Sequence, residues 1–162
     1  MVMAGRATRA TDALDRAGAA YRVYGYDVAE KVGEGYGEAV AAAIGMPGNR
    51  VFKTLVAEVD GDPVLAVIPV ERRLSTKKLA RAVGGKRCSL ASPETAERVT
   101  GYVTGGISPF GPRHKLRLIL DRSAAGFETI AVSGGQRGIQ LELSPEVLVE
   151  VTEGALAAIA DD

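Results

Sequence analysis

The run Val51-Phe52-Lys53-Thr54-Leu55-Val56-Ala57 decides the fold, because it has the composition of a buried β-strand interrupted by one charged side chain. Successive side chains of a strand point to opposite faces, so Val51, Lys53, Leu55 and Ala57 share one face. An ammonium group among such aliphatic neighbours is costly unless it meets a partner or a ligand. Lys53 is therefore either a strand-rim lysine whose head reaches water or a functional group in a pocket.

The rest of the chain builds outward from this strand. Strands are predicted at 50–59 and 64–70 around the turn Asp60-Gly61-Asp62-Pro63, and the second is apolar on both faces and should be central. Helices are predicted at 8–17, 36–44, 75–83, 92–100 and from 144 onward. Further strands are predicted at 20–26, 86–90, 115–120, 128–132 and 138–143, with a loop at 30–35 and an ambiguous segment at 154–160. We expect one α+β domain over residues 1–162, with a mixed, largely antiparallel, barrel-like sheet flanked by helices.

The composition is that of an ordinary globular protein and excludes several classes. Of the 162 residues, 46% are hydrophobic and 25% charged, which suits a single domain with a sizeable core. The chain has no apolar run long enough to span a bilayer and no apolar signal core near its start. The single cysteine, Cys88, cannot form an intrachain disulfide. We therefore expect a cytoplasmic protein with no membrane contact.

Charge is balanced overall but unevenly distributed. The 20 lysines and arginines match 20 acids, which argues against a protein that coats long stretches of nucleic acid, so no DNA partner is expected. Two short stretches are nevertheless basic: Arg72, Arg73, Lys77, Lys78, Arg81, Lys86 and Arg87, and then Arg113, His114, Lys115 and Arg117. Each is either a solvated helix face or strand end, or a surface that contacts phosphate.

The inventory of reactive residues is small. The only histidine, His114, lies among cations with no carboxylate beside it in sequence to orient it, so a Ser-His-Asp triad is not indicated. Cys88 follows Lys86-Arg87, which can depress a thiol pKa, but an isolated cysteine is more typical of a core position. With so few potential ligands, no metal site and no cofactor is expected.

Two glycine-rich segments are the remaining candidates for a site. The segment Gly105-Gly106-Ile107-Ser108-Pro109-Phe110-Gly111 is a loop whose backbone amides can approach a ligand closely, or a tight connection under the sheet. The segment Val132-Ser133-Gly134-Gly135-Gln136-Arg137-Gly138-Ile139 matches neither a Walker A loop nor the dinucleotide pattern, and locally it is a turn between two strands. Each loop alone is weak evidence.

The lysine strand and the two glycine segments, taken in this order along the chain, resemble the YbaK/EbsC family. The likeness covers nearly the whole chain and is greatest to the bacterial Cys-tRNA(Pro) deacylase branch. The family is also related to the editing domain of bacterial prolyl-tRNA synthetases. The resemblance implies an enzyme that hydrolyses the ester between a wrong amino acid and the 3′-terminal adenosine of tRNA, because prolyl-tRNA synthetase discriminates poorly against the similarly small cysteine.

The resemblance also implies roles for individual residues. Lys53 would bind the terminal nucleotide and help to hold the ester, and Gly105 would present backbone groups to the reacting end. The substrate's own thiol would attack the ester, so no protein nucleophile is needed. The substrate-binding residues implied by the resemblance are Tyr26, Tyr36, Thr54, Gly106, Ile107, Ser108, Ser133, Gly134 and Gln140. The two tyrosines are alternatively plain packing residues with a hydroxyl at the surface.

One position departs from the family pattern. Gln140 stands where the branch has an aspartate, and glutamine keeps a hydrogen-bonding head but loses the charge. Glu142 shares a face with Gln140 and would replace the missing acceptor only if the strand register shifted. The departure leaves open a deacylase for alanyl or seryl esters, and a binding module without catalytic activity. The implied partners are the aminoacylated 3′ end of tRNA and prolyl-tRNA synthetase.

Overall fold

The computed structural model describes residues 7–27, 33 and 35–161. Its helices are α1 (Arg9–Arg16), α2 (Tyr36–Ile44), α3 (Thr76–Ala82), α4 (Pro93–Thr100) and α5 (Pro145–Thr152), with a 3₁₀ turn at Arg122–Gly126. Its strands are β1 (Arg22–Gly25), β2 (Phe52–Val59), β3 (Asp62–Pro69), β4 (Arg73–Leu74), β5 (Cys88–Leu90), β6 (Arg117–Asp121), β7 (Ile130–Ser133), β8 (Ile139–Leu143), β9 (Ala155–Ala157) and β10 (Ala160–Asp161).

The helices begin where capping residues indicate. The side chains of Thr8, Ser75, Ser92 and Ser144 each accept a hydrogen bond from the backbone N–H three residues later, which satisfies one of the free amides of a helix start. Proline occupies the first turn of α4 and α5, where its missing N–H costs no hydrogen bond. All five predicted helices are therefore confirmed, and no predicted end differs from the observed one by more than one residue.

The β2–β3 hairpin is the centre of the larger sheet, whose strand order is β5-β2-β3-β6-β9. Its turn residues, Asp60 and Gly61, have φ values of 50° and 88°, the left-handed conformation that a two-residue hairpin turn requires. β3 lies in the middle of this sheet, as its two apolar faces predict. β6 and β9 add in parallel, whereas the other paired strands are antiparallel, so the mixed, largely antiparallel expectation is confirmed.

A smaller antiparallel sheet, in the order β1-β8-β7, joins the larger one through a bridge between Val51 and Ala131. The main apolar core contains residues from both sheets together with α1, α4 and α5. A second cluster lies under α3 on the other face of the larger sheet, and a third joins α2 to the Val51–Ala131 bridge. The bridge thus brings the lysine strand β2 next to β7.

The structure settles one segment that the sequence left ambiguous, and a second segment lies largely outside the described residues. The ambiguous stretch 154–160 forms β9 and the start of β10, because it completes the sheet edge beside β6 and pairs with β4. The predicted loop at 30–35 lies mostly outside the described residues. Among the helices within the described ranges, none has the length and apolar character needed to cross a bilayer.

Asp121 anchors this last segment. Its carboxylate is 4% exposed and accepts hydrogen bonds from the backbone N–H groups of Ile159, at 2.9 Å, and Ala160, at 3.0 Å. The Ser123 hydroxyl and N–H bond to its other oxygen at 2.6 and 3.2 Å. Burial alone would raise the pKa of Asp121, but these hydrogen bonds outweigh it and lower the pKa.

We predict that Asp121→Ala lowers the free energy of unfolding at pH 7 by about 2–3 kcal/mol, because it leaves two buried N–H groups without an acceptor. A folded-state pKa below the unfolded value means that this stabilisation is complete above about pH 5 and is lost as pH falls through the folded pKa. Urea titrations at pH 7 and pH 3 measure both effects. Asp62→Ala, at an exposed carboxylate, is the control, and equal losses in the two variants would contradict the assignment.

Candidate active site

A cleft opens where one edge of β2 is not covered by its neighbour. β5 pairs only with Ala57, Glu58 and Val59, so the edge from Phe52 to Leu55 lies beyond the end of β5. The cleft there has a volume of about 510 Å³. Lys53 and Thr54 point to opposite faces of the strand, yet both line the cleft because it wraps around this open edge.

Three polar side chains of the cleft occupy corresponding positions on adjacent strands. Two residues beyond the parallel Val51–Ala131 bridge lie Lys53 on β2 and Ser133 on β7. Ser133 is the direct antiparallel partner of Gln140 on β8. Because directly paired residues point to the same face, Ser133 and Gln140 are neighbours, and Lys53 lines the same cleft as both of them.

Lys53 carries the unusual electrostatics that its sequence context predicts. Burial is the main cause that lowers the pKa of Lys53, Arg73 lowers it further, and Glu38 acts in the opposite direction. Within the described ranges, its ammonium group has no hydrogen-bond or ion-pair partner. A partly desolvated cation that borders a cleft is suited to receive an anionic or carbonyl oxygen from a ligand.

The loop at Gly105 is held rigidly against the second glycine segment. The Thr104 carbonyl accepts a hydrogen bond from Arg137 Nε at 2.8 Å, and the Thr104 N–H and hydroxyl bond to the Glu97 carboxylate at 2.7 and 2.9 Å. A Cβ on Gly106 would lie 3.1 Å from the backbone of Gln136, so the two loops touch through their main chains. Gly105 itself has φ of 88°, a conformation that favours glycine.

Four polar atoms near the cleft are buried without a hydrogen-bond partner among the described residues. They are the hydroxyls of Tyr26, Tyr36 and Thr54 and the side-chain carbonyl oxygen of Gln140. Burial raises the pKa of Tyr36 to about 12, with the neighbouring Tyr26 hydroxyl acting in the same direction. An unpaired buried polar group costs about 1–3 kcal/mol, so the unpaired oxygens of the lining residues Thr54 and Gln140 indicate a place where a ligand completes the hydrogen bonds.

The structure brings most of the sequence-predicted site residues to this cleft. Those that line it are Tyr36, Lys53, Thr54, Gly105, Ile107, Ser133 and Gln140. The residues that do not line it are Tyr26, Gly106, Ser108 and Gly134. Which of these residues bind or react stays a prediction.

Three of the residues outside the lining, Gly106, Ser108 and Gly134, support the loops that form it. The Ser108 side chain is fully buried and accepts a hydrogen bond from the Phe110 N–H at 3.3 Å. The Gly134 carbonyl accepts one from the Thr8 hydroxyl at 2.6 Å. Gly106 provides the close loop contact described above. These positions therefore shape the cleft from behind rather than border it.

Sequence reasoning did not assign four charged residues to the cleft, namely Glu38, Glu71, Arg72 and Arg73. For the three that follow β3, namely Glu71, Arg72 and Arg73, the predicted hairpin turn already indicated a position near Lys53. A turn at Asp60 and Gly61 places Lys53 opposite Ile68, so the residues that follow β3 return to the same end of the sheet as the lysine.

Glu142 does not replace the acceptor that Gln140 lacks. Its carboxylate accepts hydrogen bonds from Tyr24 at 2.7 Å, Arg50 at 2.6 Å and Thr129 at 2.6 Å. Burial would raise the pKa of Glu142, but these partners lower it overall. The strand register stays regular through β8, so the shift that would bring Glu142 to the cleft does not occur. Glu142 instead links β8 to β1 and to Arg50, which precedes β2.

The other two reactive side chains, Cys88 and His114, lie outside the cleft lining. Burial raises the pKa of the Cys88 thiol, contrary to the depression that Lys86-Arg87 could have produced. His114 is exposed and lies outside the cleft lining. In the described part of the chain, no three His, Cys, Asp or Glu side chains come close enough together to hold a metal ion.

Comparison with known proteins identifies the family. A family model described as "Aminoacyl-tRNA editing domain" matches residues 35–151, which include the lysine strand and both glycine loops. The chain belongs to the aminoacyl-tRNA editing domain family. The resemblance drawn from the three sequence motifs is thereby confirmed.

Relatives of this editing domain include both free-standing proteins and a synthetase. The chain is 41% identical over 123 residues, 75% of each protein, to the "Putative Cys-tRNA(Pro)/Cys-tRNA(Cys) deacylase EbsC" of Enterococcus faecalis. It is 34% identical over 127 residues, 75% of this chain and 73% of the other, to the "Multifunctional Ser/Thr-tRNA deacylase ProXp-y" of Escherichia coli K12. A proline–tRNA ligase of Geobacter metallireducens matches at 30% over 105 residues, 65% of this chain and 18% of the ligase.

The fold of the editing domain is also shared with solved structures. One is a crystal structure of "a putative trans-editing enzyme for prolyl tRNA synthetase", with a TM-score of 0.83 and 24% identity over 95% of this chain and 96% of that chain. The α+β architecture expected from the sequence is confirmed by this likeness.

Gly105→Ala tests whether the loop conformation matters. A side chain at φ of 88° is strained, so we predict a loss of about 1–2 kcal/mol in unfolding free energy and a larger proportional loss of deacylase activity. Gly126→Ala is the control, because a Cβ there meets no atom within 4 Å and should change stability by less than about 1 kcal/mol. Thermal unfolding and ester hydrolysis, measured on both variants, decide the point. Equal activity in the two variants would contradict a role for the Gly105 backbone.

Proposed function

We propose that this editing domain hydrolyses the ester of cysteine mischarged onto tRNA(Pro), as a trans-editing enzyme for translational fidelity. The observation that carries the proposal is the position of Lys53, a partly buried ammonium that lines a cleft shared with the Gly105 loop. The family membership and the name of the Enterococcus relative support the substrate class. The size of the cleft, about 510 Å³, suits an aminoacyl-adenosine end.

The chemistry needs positioning and charge stabilisation more than a protein nucleophile. An aminoacyl ester is already activated, and the thiol of a cysteinyl group can attack its own carbonyl. The ribose oxygen then leaves with the thiol proton, and water opens the resulting thioester. Lys53 would bind the nucleotide and hold the ester, while the Gly105 backbone faces the reacting carbonyl. The raised pKa of the Cys88 thiol and the position of His114 outside the cleft lining are compatible with this route.

The proposed partners follow from the same activity. The substrate is the aminoacylated 3′ end of tRNA, and prolyl-tRNA synthetase is the proposed protein partner, because a proline–tRNA ligase contains a segment similar to this chain. We place the protein in the cytoplasm, where aminoacyl-tRNAs are made and used. Selectivity for the tRNA body would then come largely from the synthetase.

Hydrolysis of seryl esters is a second candidate, favoured by one observation. Thr54 and Gln140 present buried oxygens without partners at the cleft, and a serine hydroxyl donates a stronger hydrogen bond than a cysteine thiol. The Escherichia coli relative, named a Ser/Thr-tRNA deacylase, supports the same direction. This reading needs a nucleophile other than a substrate thiol, so water would have to attack the ester directly.

Lys53→Met is the decisive variant for the lead proposal. Methionine keeps most of the apolar stem and removes the ammonium group, so we expect kcat/KM for Cys-tRNA(Pro) to fall by about 100-fold or more. Stability should stay equal or rise, because the cost of burying the charge disappears. Release of labelled cysteine and urea unfolding measure the two effects. Lys115→Met, at an exposed lysine, is the matched control.

The same assay separates the alternatives. Fast loss of cysteine with little loss of alanine from Ala-tRNA(Pro) supports the thiol-assisted route. Similar rates for both esters would replace it with a broader editing activity. Binding of aminoacyl-tRNA without release of either amino acid would leave a binding module and refute the enzyme.

Gln140→Leu tests the contribution of the unpaired oxygen. If Gln140 accepts a hydrogen bond from the amino-acid side chain, we expect KM for a seryl ester to rise by about 5–20-fold and that for a cysteinyl ester to rise less. Gln140→Glu keeps an acceptor oxygen and should retain most of the affinity for the seryl ester. Parallel titrations of the two esters give the comparison. An equal change for both would show that Gln140 does not contact the side chain.

A further inference from the structure

Five basic side chains form a line that the proposed chemistry does not use. They are Arg73, Lys77, Arg81, Lys86 and Arg87, and we call them the basic ridge. All five are exposed, and none forms an ion pair within the part of the chain that the structure describes. Their common surface is therefore open to a partner of opposite charge.

The topology fixes the direction of the ridge. Arg73 lines the cleft, and α3 starts three residues after it. The other end of α3 reaches the β2–β3 turn, where a Cβ on Gly85 would meet Val59 and where the Asp60 N–H bonds to the Arg87 carbonyl at 2.8 Å. The ridge thus runs from the cleft mouth to the far end of the hairpin, a length of about 20 Å at the rise of a strand.

The helix presents its charges on one side. α3 buries Leu79 and Ala80 against the sheet and exposes Lys77 and Arg81, which lie four residues apart and therefore on one face. The helix has no acidic residue. Lys78 is not part of the ridge, because it pairs with Asp161 at 3.2 Å.

The far end of the ridge has two acids, Asp60 and the exposed Asp62, and Asp60 is already engaged. The Asp60 carboxylate accepts hydrogen bonds from the backbone N–H groups of Lys86, at 3.0 Å, and Arg87, at 2.9 Å. The side chains of these two residues are exposed. Their positive charge is therefore available for a partner.

The opposite side of the cleft has a different charge. Pro93 and Ala96 of α4 line the cleft there, and the same helix exposes two acids, Glu94 and Glu97, beside one arginine, Arg98. A polyanion leaving the cleft would therefore be attracted more strongly on the α3 side than on the α4 side. The difference between the two sides favours one exit direction.

We propose that the basic ridge binds the phosphate backbone of the double-helical stem that adjoins the aminoacylated 3′ end. The proposal rests on the function proposed above, because that function places the 3′ end in the cleft where the ridge begins. Its contacts are to phosphates rather than bases, so it contributes affinity and orientation without sequence selectivity. Recognition of a particular tRNA is left to other contacts.

The double variant Lys77→Gln/Arg81→Gln tests the ridge. We expect its affinity for uncharged tRNA to fall about tenfold near physiological salt, and the slope of log K against log salt to fall by about 2. Fluorescence anisotropy with full-length tRNA over a salt series measures both. Arg113→Gln is the control, because Arg113 is an exposed arginine outside the ridge.

A second readout keeps the two proposals distinguishable. With Cys-tRNA(Pro) the double variant should lose hydrolysis through KM, whereas a cysteinyl ester on a short single strand ending in CCA should react at the wild-type rate. Three results would each overturn the ridge proposal. They are unchanged tRNA binding in the double variant, equal weakening in Arg113→Gln, and no salt-dependent tRNA binding by the wild type. If the wild type hydrolysed neither ester, the proposed function would be overturned instead. The tRNA-binding measurements over the salt series would still test the ridge proposal.

Discussion

The site depends on how β2 is paired: along its whole length with β3, but with β5 only near its C-terminal end. Asp60 and Gly61 adopt the left-handed turn that fixes the hairpin register, and this register sets Lys53 opposite Ile68. A one-residue slip would turn Lys53 into the other face and remove it from the cleft. Because β5 covers only three residues of β2, the same strand is both a core strand and the edge of the cleft.

Several groups in the cleft have unfavourable free energies, which the stability of the rest of the fold must offset. The Lys53 ammonium is partly desolvated, and buried oxygens of Thr54 and Gln140 have no partner among the described residues. Gly105 is held in a left-handed conformation by the Arg137 and Glu97 contacts to Thr104. Such costs persist where a surrounding core determines the geometry, and here that core includes residues from both sheets.

The sequence predicted the elements whose signals are local. Capping residues such as Ser75 marked the helices, and the Asp60-Gly61 turn marked the hairpin. The strands of the C-terminal segment were not predicted, because they depend on nonlocal contacts: parallel pairing with β6 and the hydrogen bonds from Ile159 and Ala160 to Asp121. No local pattern distinguishes a short edge strand of alanines from a helix.

Prediction of the site shows the same division. Lys53 was found because one charge in an apolar strand is visible in sequence, and the glycine loops because their composition excludes regular structure. The cleft position of Arg73 and the engagement of Glu142 by Tyr24 and Arg50 became visible only once the strands were placed side by side. The residues implied by resemblance alone, such as Ser108, include ones that support the cleft from behind.

A net charge near zero is consistent with a protein that contacts RNA through one small basic surface. Twenty basic and twenty acidic residues give little long-range attraction, which limits nonspecific association with nucleic acid. The charges are nevertheless unevenly distributed: α3 has no acid, whereas α4, across the cleft, exposes Glu94 and Glu97 beside a single arginine, Arg98. A field of this kind acts within a Debye length of about 8 Å, so in the ridge proposal it acts on an RNA end that is already close to the mouth of the cleft. In the two proposals above, delivery by a synthetase and phosphate binding by the ridge are complementary steps.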